Sequence, residues 1–187
     1  MSYRSLAELE AGLPVIRRSP ADQGRLERIA RRPDFGEREV LSEGFLDLAA
    51  GLVGDGWLVR PSRRTPDGSP HPEMQVNVMS SRVAALIAGG NTGWEGAGDQ
   101  LYVDLDLSPG NVPAGTRLVI GAAVIEITAQ PHRGCPKFAA RFGEEALRFV
   151  NSPVGRALQL RGVNAKVVAA GAVRVGDTVT VERPPRT

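Results

Sequence analysis

The 187-residue chain has only one cysteine, only two histidines and few aromatic side chains, which make up 5% of the sequence. A single cysteine excludes an internal disulfide, which fits a protein of a reducing compartment. The same shortage excludes the usual structural zinc site, because such a site needs a full set of closely spaced cysteine or histidine ligands. No Gly-x-Ser-x-Gly segment is present, so a serine-nucleophile triad has little support.

Long apolar stretches and nucleotide-binding loops are missing as well. No run approaches the roughly 20 apolar residues that cross a bilayer. The N-terminal segment carries acidic residues instead of the apolar core of a signal peptide. No glycine-rich phosphate loop or dinucleotide fingerprint occurs. We therefore expect a soluble, cytoplasmic protein with no membrane contact.

Charge is nearly balanced overall, with 23 lysine and arginine residues against 21 aspartate and glutamate residues. The distribution is uneven, because residues 17–38 hold seven arginines and only four acids. Nucleic-acid binding is one interpretation of such a stretch, but Phe35 is its only aromatic residue for base stacking. The pattern favours a solvated, arginine-rich face and no nucleic-acid partner.

Short runs in which apolar and polar residues alternate predict about eight strands. The clearest run is Asp99–Leu107, where leucine or valine recurs at every second position from Leu101. Helical patterns are fewer, and they do not alternate regularly with the strands. This order disfavours a doubly wound parallel sheet. It predicts a mainly β (α+β) fold, a β-barrel with a few inserted helices.

The N-terminal residues differ in pattern from the rest of the chain. We assign residues 1–24 to an N-terminal extension with a short helix, and residues 25–187 to the barrel domain. Ser5 and Glu8 have the spacing of a capping box at the start of that helix. The weak alternation that follows ends at Pro33, which predicts an edge strand.

The single cysteine lies in the segment Pro131-His132-Arg133-Gly134-Cys135-Pro136-Lys137, between an alternating apolar run and an amphipathic helical pattern. Pro136 suits the first position of a helix, so Cys135 is predicted to be the N-cap. Unpaired backbone N–H groups and the positive end of the helix dipole favour a thiolate there. A thiolate attacks electrophiles and binds soft metals. A buried cysteine that only fills space is the alternative.

Charged and titratable residues surround this cysteine. His132 is a candidate to orient a substrate or donate a proton near neutral pH, with a plain loop residue as the alternative. Lys137 and Arg141 share one face of the predicted helix, and Arg161 follows later in the chain. These cations predict an anion pocket beside the helix N-terminus. The alternative is a solvated face paired with acidic residues.

Three stretches of the chain resemble the MOSC domains, a family named after the C-terminal domain of molybdenum cofactor sulfurases. Gly51-Leu52-Val53-Gly54-Asp55 is similar to an early turn of that family. Leu118–Thr128, followed by Gly134-Cys135, is similar to its strand pair and hallmark cysteine. Gly171–Val181, with Gly176-Asp177, is similar to its closing strand. The resemblance covers roughly residues 25 to 181.

This resemblance implies a MOSC-type β-barrel that binds the molybdenum cofactor, molybdopterin, with Cys135 as the metal ligand. In that interpretation Cys135 and His132 are the catalytic residues, and His132 faces the substrate. A larger set binds the cofactor, namely Cys135, Arg133, Lys137, Arg141 and Arg161.

Related domains reduce N-hydroxylated compounds or accept and pass on the sulfurated cofactor. The resemblance therefore implies an oxidoreductase acting on N-hydroxylated or related small molecules. A non-catalytic carrier of cofactor or sulfur is the alternative, and a barrel that has lost the cofactor is a third. The first two need an external electron-transfer or cofactor-delivery protein, since the chain has no flavin motif or iron–sulfur cysteine set. Ser69–Glu73 and Gly98–Leu101 differ from the family's usual segments and indicate a divergent stand-alone member.

Overall fold

The computed structural model describes residues 3–184, and most of its strands belong to one closed barrel. The strands are β1 (Gly24–Arg31), β2 (Glu39–Leu41), β3 (Glu43–Asp47), β4 (Gly51–Leu52), β5 (Val76–Ser80), β6 (Leu101–Asp104), β7 (Arg117–Ile120), β8 (Ala123–Ile127), β9 (Val163–Ala169), β10 (Gly171–Arg174) and β11 (Thr178–Glu182). The helices are α1 (Leu6–Ala11), α2 (Leu13–Ile16), α3 (Ser81–Ala88), α4 (Pro136–Phe142), α5 (Glu144–Asn151) and α6 (Pro153–Ala157). The predicted fold class, mainly β with a barrel and a few inserted helices, is confirmed.

The barrel closes through the order β11-β7-β8-β9-β5-β6-β1 and a final pairing of β1 with β11. Its neighbouring strands are antiparallel except β5 and β6, which are parallel. A parallel pair needs a long crossover connection, and α3 lies in that connection. Strand β2 pairs with β1 outside the closed ring, and β10, β3 and β4 form a separate small sheet.

Two apolar cores lie on opposite faces of β5 and β6. Successive side chains of a strand point to opposite faces, so Val78 and Leu101 enter the barrel interior while Met79 and Tyr102 face the helices. All four side chains are fully buried. These two strands therefore join the barrel to the helical layer that carries the cysteine.

The helical layer takes in the N-terminal segment. Leu9 of α1 is fully buried in the same cluster as Phe138 of α4 and Phe149 of α5. The capping box forms as its spacing predicts, because Ser5 and Glu8 each accept a backbone N–H of the other. The extension thus contributes to the helical core, whatever the position of its boundary with the barrel. No helix within residues 3–184 is long and apolar enough to cross a membrane.

Helix α4 begins as its sequence predicts, with Cys135 at the N-cap in an extended conformation and Pro136 at the first helical position. The helical pattern does not continue unbroken, because Gly143 ends α4 and starts α5 with φ at 89°. That backbone region favours glycine. The break turns the chain so that both helices bury their phenylalanines in one core.

The expectation of an edge strand before Pro33 is wrong. Strand β1 pairs with β2, β6 and β11 along different parts of its length. Its alternation is weak because the register with β6 shifts between Leu26 and Arg28, which displaces the side chains from a strict period of two. Pro33 lies beyond the end of the strand, so it removes no hydrogen bond from the ladder.

Replacing Leu9 with alanine tests whether the N-terminal helix belongs to the cooperative fold. Because the side chain is fully buried, we expect Leu9→Ala to lower the free energy of unfolding by about 2–4 kcal/mol. The matched control is Val15→Ala on α2, where the side chain is 49% exposed and a loss below about 0.5 kcal/mol is expected. Urea unfolding measures both values, and equal small losses would contradict the prediction.

Candidate functional site

A cleft of about 750 Å³ opens beside the cysteine, between the barrel and the start of α4. Three segments form its other walls: the chain that follows β1, the turn at 56–61 and the turn at 96–98. The cleft brings together Cys135, His132, Lys137, Arg141 and Arg161, which were all predicted as site residues. Four of these five lie close together in the sequence, whereas Arg161 lies in the turn before β9.

The thiol of Cys135 is exposed and lines this cleft, so the alternative of a buried, space-filling cysteine is wrong. Its carbonyl accepts hydrogen bonds from the backbone N–H groups of Phe138 and Ala139, at 2.8 and 3.1 Å. The preceding residue is held too, because Asn151 bonds both the N–H and the C=O of Gly134, each at 3.1 Å. A β-carbon at Gly134 would lie 2.7 Å from Leu147 and 2.9 Å from Val150, so these side chains would have to shift to admit a larger residue. The backbone is therefore fixed on both sides of an accessible sulfur.

Arg32 was not expected here, and it is one of the best-held groups of the cleft. The Asp55 carboxylate accepts hydrogen bonds from its Nε at 2.9 Å, its Nη2 at 2.8 Å and its backbone N–H at 2.8 Å. Burial alone would raise the pKa of Asp55, but the bonds and charge of Arg32 outweigh it and hold that pKa below its usual value. The turn at Gly54-Asp55, noted in the sequence, thus positions Arg32, which directly follows the end of β1.

Three further guanidinium groups face the cleft, and no carboxylate of the described residues lies within ion-pair distance of them. Arg38 donates to the carbonyl of Glu95 at 3.1 Å, Arg60 to that of Arg32 at 3.1 Å, and Arg141 to that of Gly96 at 2.5 Å. Carbonyl groups orient these cations but do not neutralise them. Burial, followed by repulsion from the neighbouring arginines, lowers the pKa of Arg38.

The charge of the cleft is therefore strongly positive. Asp55 neutralises Arg32, and Asp99 neutralises Arg161. The cations that remain are Arg38, Arg60, Lys137 and Arg141, and Asp34 is the one acidic side chain among the lining residues. Lys137 lies over the ring of Phe35, with 4.9 Å between its Nζ and the ring centroid. Such a set of cations in a concave site favours an anionic ligand.

A buried carboxylate supports the inner wall of the cleft. Asp99 is fully buried, and its Oδ2 accepts a hydrogen bond from Nη1 of Arg161 at 2.6 Å. Its Oδ1 lies 3.5 Å from Nδ1 of His132, and neither atom has a hydrogen-bond partner within residues 3–184. Burial raises the pKa of Asp99 despite the neighbouring arginine. Nε of Arg161 is also buried without a partner.

His132 is uncharged in this setting. Its side chain is only 12% exposed, and burial lowers its pKa well below 6.5. The positive charges of Arg161, Arg32 and Arg64 lower it further. A neutral imidazole beside a carboxylate can hold its proton on Nδ1 and leave Nε2 free to accept another.

Other residues lie in positions that the sequence did not predict. Arg133 is exposed and lies outside the lining of this cleft. The arginine-rich stretch before residue 39 is more than the solvated face it was expected to be, since Arg32 and Arg38 line the cleft. The cluster of arginines was the available signal for them. The only sequence signal for Asp99 was that the segment Gly98–Leu101 differs from the one usual in the family it resembles.

Comparisons with known proteins agree with this architecture. A model of the MOSC domain family matches residues 72–180. The YuaD protein of Bacillus subtilis has a similar structure, with a TM-score of 0.60 and 19% identity over 87% of this chain and 97% of that chain. YiiM of Geobacillus stearothermophilus gives a TM-score of 0.58 and 13% identity over 86% and 75%. YiiM of Escherichia coli gives 0.55 and 18% over 87% and 72%. No curated protein sequence matches the chain.

Acidification tests the burial of His132. In the unfolded chain the imidazole takes up a proton at about pH 6.5, whereas the folded protein resists it because the pKa is lowered. The unfolded state therefore gains protons first as the pH falls, and folding stability decreases. Between about pH 7.5 and about pH 5.5 this residue contributes a loss of up to about 1.4 kcal/mol.

Urea unfolding at both pH values measures this loss for the wild type and for His132→Gln. In the variant, the part of the decrease in the free energy of unfolding that comes from the imidazole should disappear. An NMR titration of the imidazole, assigned with the same variant, gives a direct check. A resonance that titrates near pH 6.5, as in an unfolded peptide, would contradict the burial of a neutral His132.

Proposed function

The chain belongs to the MOSC domain family, whose domains are associated with the molybdenum cofactor, and we propose that its basic cleft binds molybdopterin in an oxidoreductase site. The substrates we propose are N-hydroxylated or related small molecules. The observation that carries this proposal is the exposed thiol of Cys135, held rigidly at a helix N-cap and opening into a cleft with surplus positive charge.

The residues of the cleft fit such a cofactor. Molybdopterin carries a phosphate, and Arg38, Arg60 and Arg141 are cations held by carbonyl groups with no carboxylate partner. Burial and mutual repulsion lower the pKa of Arg38, and a bound phosphate would relieve that repulsion. The thiolate of Cys135 is a soft ligand that suits molybdenum.

We assign the residues as follows. Cys135 provides the sulfur ligand of the metal, and Lys137 and Arg141 bind the phosphate together with Arg38 and Arg60. Arg161 supports the site from behind, because its Nη1 and Nη2 are occupied by Asp99 and by the carbonyl of Ala97. Arg133, which lies outside the lining of the cleft, has no cofactor contact in this assignment.

His132 handles a proton in this proposal. Reduction of an N–OH group to N–H consumes two electrons and two protons and releases water. When bound, the cofactor supplies the two electrons, and an external protein partner then provides two electrons to restore it. His132 keeps one proton on Nδ1, towards Asp99, and Nε2 exchanges a proton with the substrate or with water. Because its lowered pKa keeps the imidazole uncharged at neutral pH, His132 adds no further cation to the cleft.

A carrier of the cofactor or its sulfur is the second candidate. The feature that favours it is the rim of the cleft, where Phe35 and Val59 are 82% and 81% exposed. Both exceed every other exposed large apolar side chain of the described residues. Apolar side chains around an open, basic mouth suit contact with a partner protein that delivers or receives the cofactor.

Metal analysis tests whether Cys135 binds the molybdenum of the cofactor. Protein made in a host that synthesises molybdopterin should carry molybdenum, and Cys135→Ala should lose most of it because the metal loses its thiolate ligand. The pterin, measured separately by its fluorescence after oxidation, should be retained better than the metal. The control is Arg148→Gln, an exposed arginine of α5 outside the cleft, which should load normally. Equally negligible molybdenum in wild type and Cys135→Ala would contradict the proposal.

Turnover separates the two candidates. With a chemical reductant, the loaded wild type should reduce an aromatic hydroxylamine to the amine, and His132→Gln should slow this by about 100-fold through loss of the group that exchanges protons with the substrate. Its molybdenum content should stay normal, because His132 is no metal ligand in this assignment. Full loading without turnover would favour the carrier. Equal rates in the two proteins would contradict the role of His132.

A further inference from the structure

A second space of about 320 Å³, called the side pocket below, adjoins the basic cleft. Arg32 and Arg60 line both spaces, so the two meet at these residues. Cys135 is absent from the lining of the side pocket, which is therefore separate from the position proposed for the metal. Its other lining residues are Trp57, 61–64, Pro70, His71, Met74 and Asn77.

The side pocket is positively charged. Its lining contains no acidic side chain. Asp55 neutralises Arg32, but no carboxylate within residues 3–184 lies at ion-pair distance from Arg60, Arg63 or Arg64. Three arginines that converge on one concave space without a counter-ion favour an anionic ligand there.

The two arginines on the far side of the pocket keep their hydrogen-bond donors available. Within the described residues, the side chain of Arg64 makes one hydrogen bond, from Nη1 to Sδ of Met74 at 3.6 Å, and a thioether is a weak acceptor. The side chain of Arg63 makes none. The loop that carries them is held, because the N–H of Ser62 donates to the carbonyl of Gly68 at 3.0 Å and the N–H of Arg64 to Oγ of Ser62 at 3.1 Å. An anion can therefore pair with these groups without first ordering their loop.

Trp57 and His71 give the pocket two further features. Trp57 is half-buried, and its indole contacts no other aromatic ring and no cation within residues 3–184. A planar ring is a suitable partner for such an indole. Nδ1 of His71 accepts the N–H of Glu73 at 3.2 Å, so the neutral imidazole carries its hydrogen on Nε2 as a further donor. The lining thus combines donors for an anion with a surface for an aromatic group.

We propose that the side pocket binds an aromatic anion, a compound in which a planar ring carries a phosphate or carboxylate group. The anionic group pairs with Arg63 and Arg64, and the ring packs on Trp57. Binding of such a compound does not require molybdenum. Since the pocket meets the basic cleft, it holds the acidic aromatic end of an N-hydroxylated substrate, and this last assignment rests on the proposed function.

Three probes test the site on the purified full chain without cofactor, by calorimetry and by ¹⁵N chemical-shift mapping. Phenyl phosphate has both recognised groups, methyl phosphate lacks the ring, and phenol lacks the charge. We expect phenyl phosphate to bind most tightly and each of the others to bind about tenfold more weakly. The shifts caused by phenyl phosphate should centre on Trp57 and on residues 61–64.

Variants assign the two contacts. Arg63→Gln and Arg64→Gln should each weaken phenyl phosphate about tenfold through loss of a charge-assisted hydrogen bond. Trp57→Leu keeps an apolar side chain without a ring, so phenyl phosphate should bind no better than methyl phosphate, whereas Trp57→Phe should retain most of the preference. Arg148→Gln, on α5 outside the pocket, is the matched control and should bind all three probes like the wild type.

Turnover tests the substrate assignment separately. In the loaded protein, 4-(hydroxyamino)benzoate should have a KM about tenfold below that of N-phenylhydroxylamine, because only the former carries an acidic group for the pocket. Arg63→Gln should remove this difference and leave the turnover of N-phenylhydroxylamine unchanged.

Three results would overturn the site: no binding of phenyl phosphate to the wild type, equal affinities for the three probes, or shifts confined to the cleft of Cys135. A preference for phenyl phosphate over methyl phosphate that survives in Trp57→Leu would reject the ring contact. Equal KM values for the two hydroxylamines would reject the substrate assignment. The binding measurements use protein without molybdenum, so failure of the site and failure of the proposed function are distinguishable.

Discussion

The buried ion pair between Asp99 and Arg161 holds the inner wall of the basic cleft in place. It joins the segment before β6 to the turn before β9, and the two residues are 62 positions apart in the sequence. The guanidinium also donates to the carbonyl of Ala97 at 2.8 Å and lies over the ring of Phe138, 5.0 Å from its centroid. One side chain thus links the inner wall of the cleft to helix α4. Removing one partner of a buried pair commonly costs about 3–5 kcal/mol, a large part of the roughly 5–15 kcal/mol by which a domain is stable.

A second buried pair completes this arrangement and explains why the cleft remains basic. Asp55 and Asp99 are buried behind the lining of the cleft, and each forms an ion pair with an arginine of that lining. Polar residues extend the network, since Asn77 accepts from Arg32 at 3.3 Å and donates to Asn164 at 2.6 Å. The carboxylates therefore stabilise the walls and are not available to neutralise the cations at the mouth. The surplus positive charge of the cleft follows from this division of roles.

Local features of the site could be read from the sequence, and distant ones could not. Pro136 fixes a helix start by its own geometry, so the N-cap position of Cys135 follows from adjacent residues alone. The alternation in β6 and the MOSC resemblance likewise rest on short segments, and both are confirmed. Arg32 and Asp99 reach the site through strand pairings and an ion pair between remote segments, which no short-range pattern contains. The bulge in β1 concealed its central position for the same reason, because register with β6 is a tertiary property.

The arrangement of the cysteine also separates two roles that one segment would otherwise have to share. The sulfur is exposed, while the backbone beside it is immobilised by Asn151 through Gly134 and by the first turn of α4. The imidazole three residues earlier is buried and neutral against Asp99. In the proposed function, the metal ligand needs access and a fixed direction, whereas the residue that exchanges protons benefits from a fixed tautomer. The short loop between His132 and Cys135 supplies both conditions because one end meets the barrel wall and the other begins a helix.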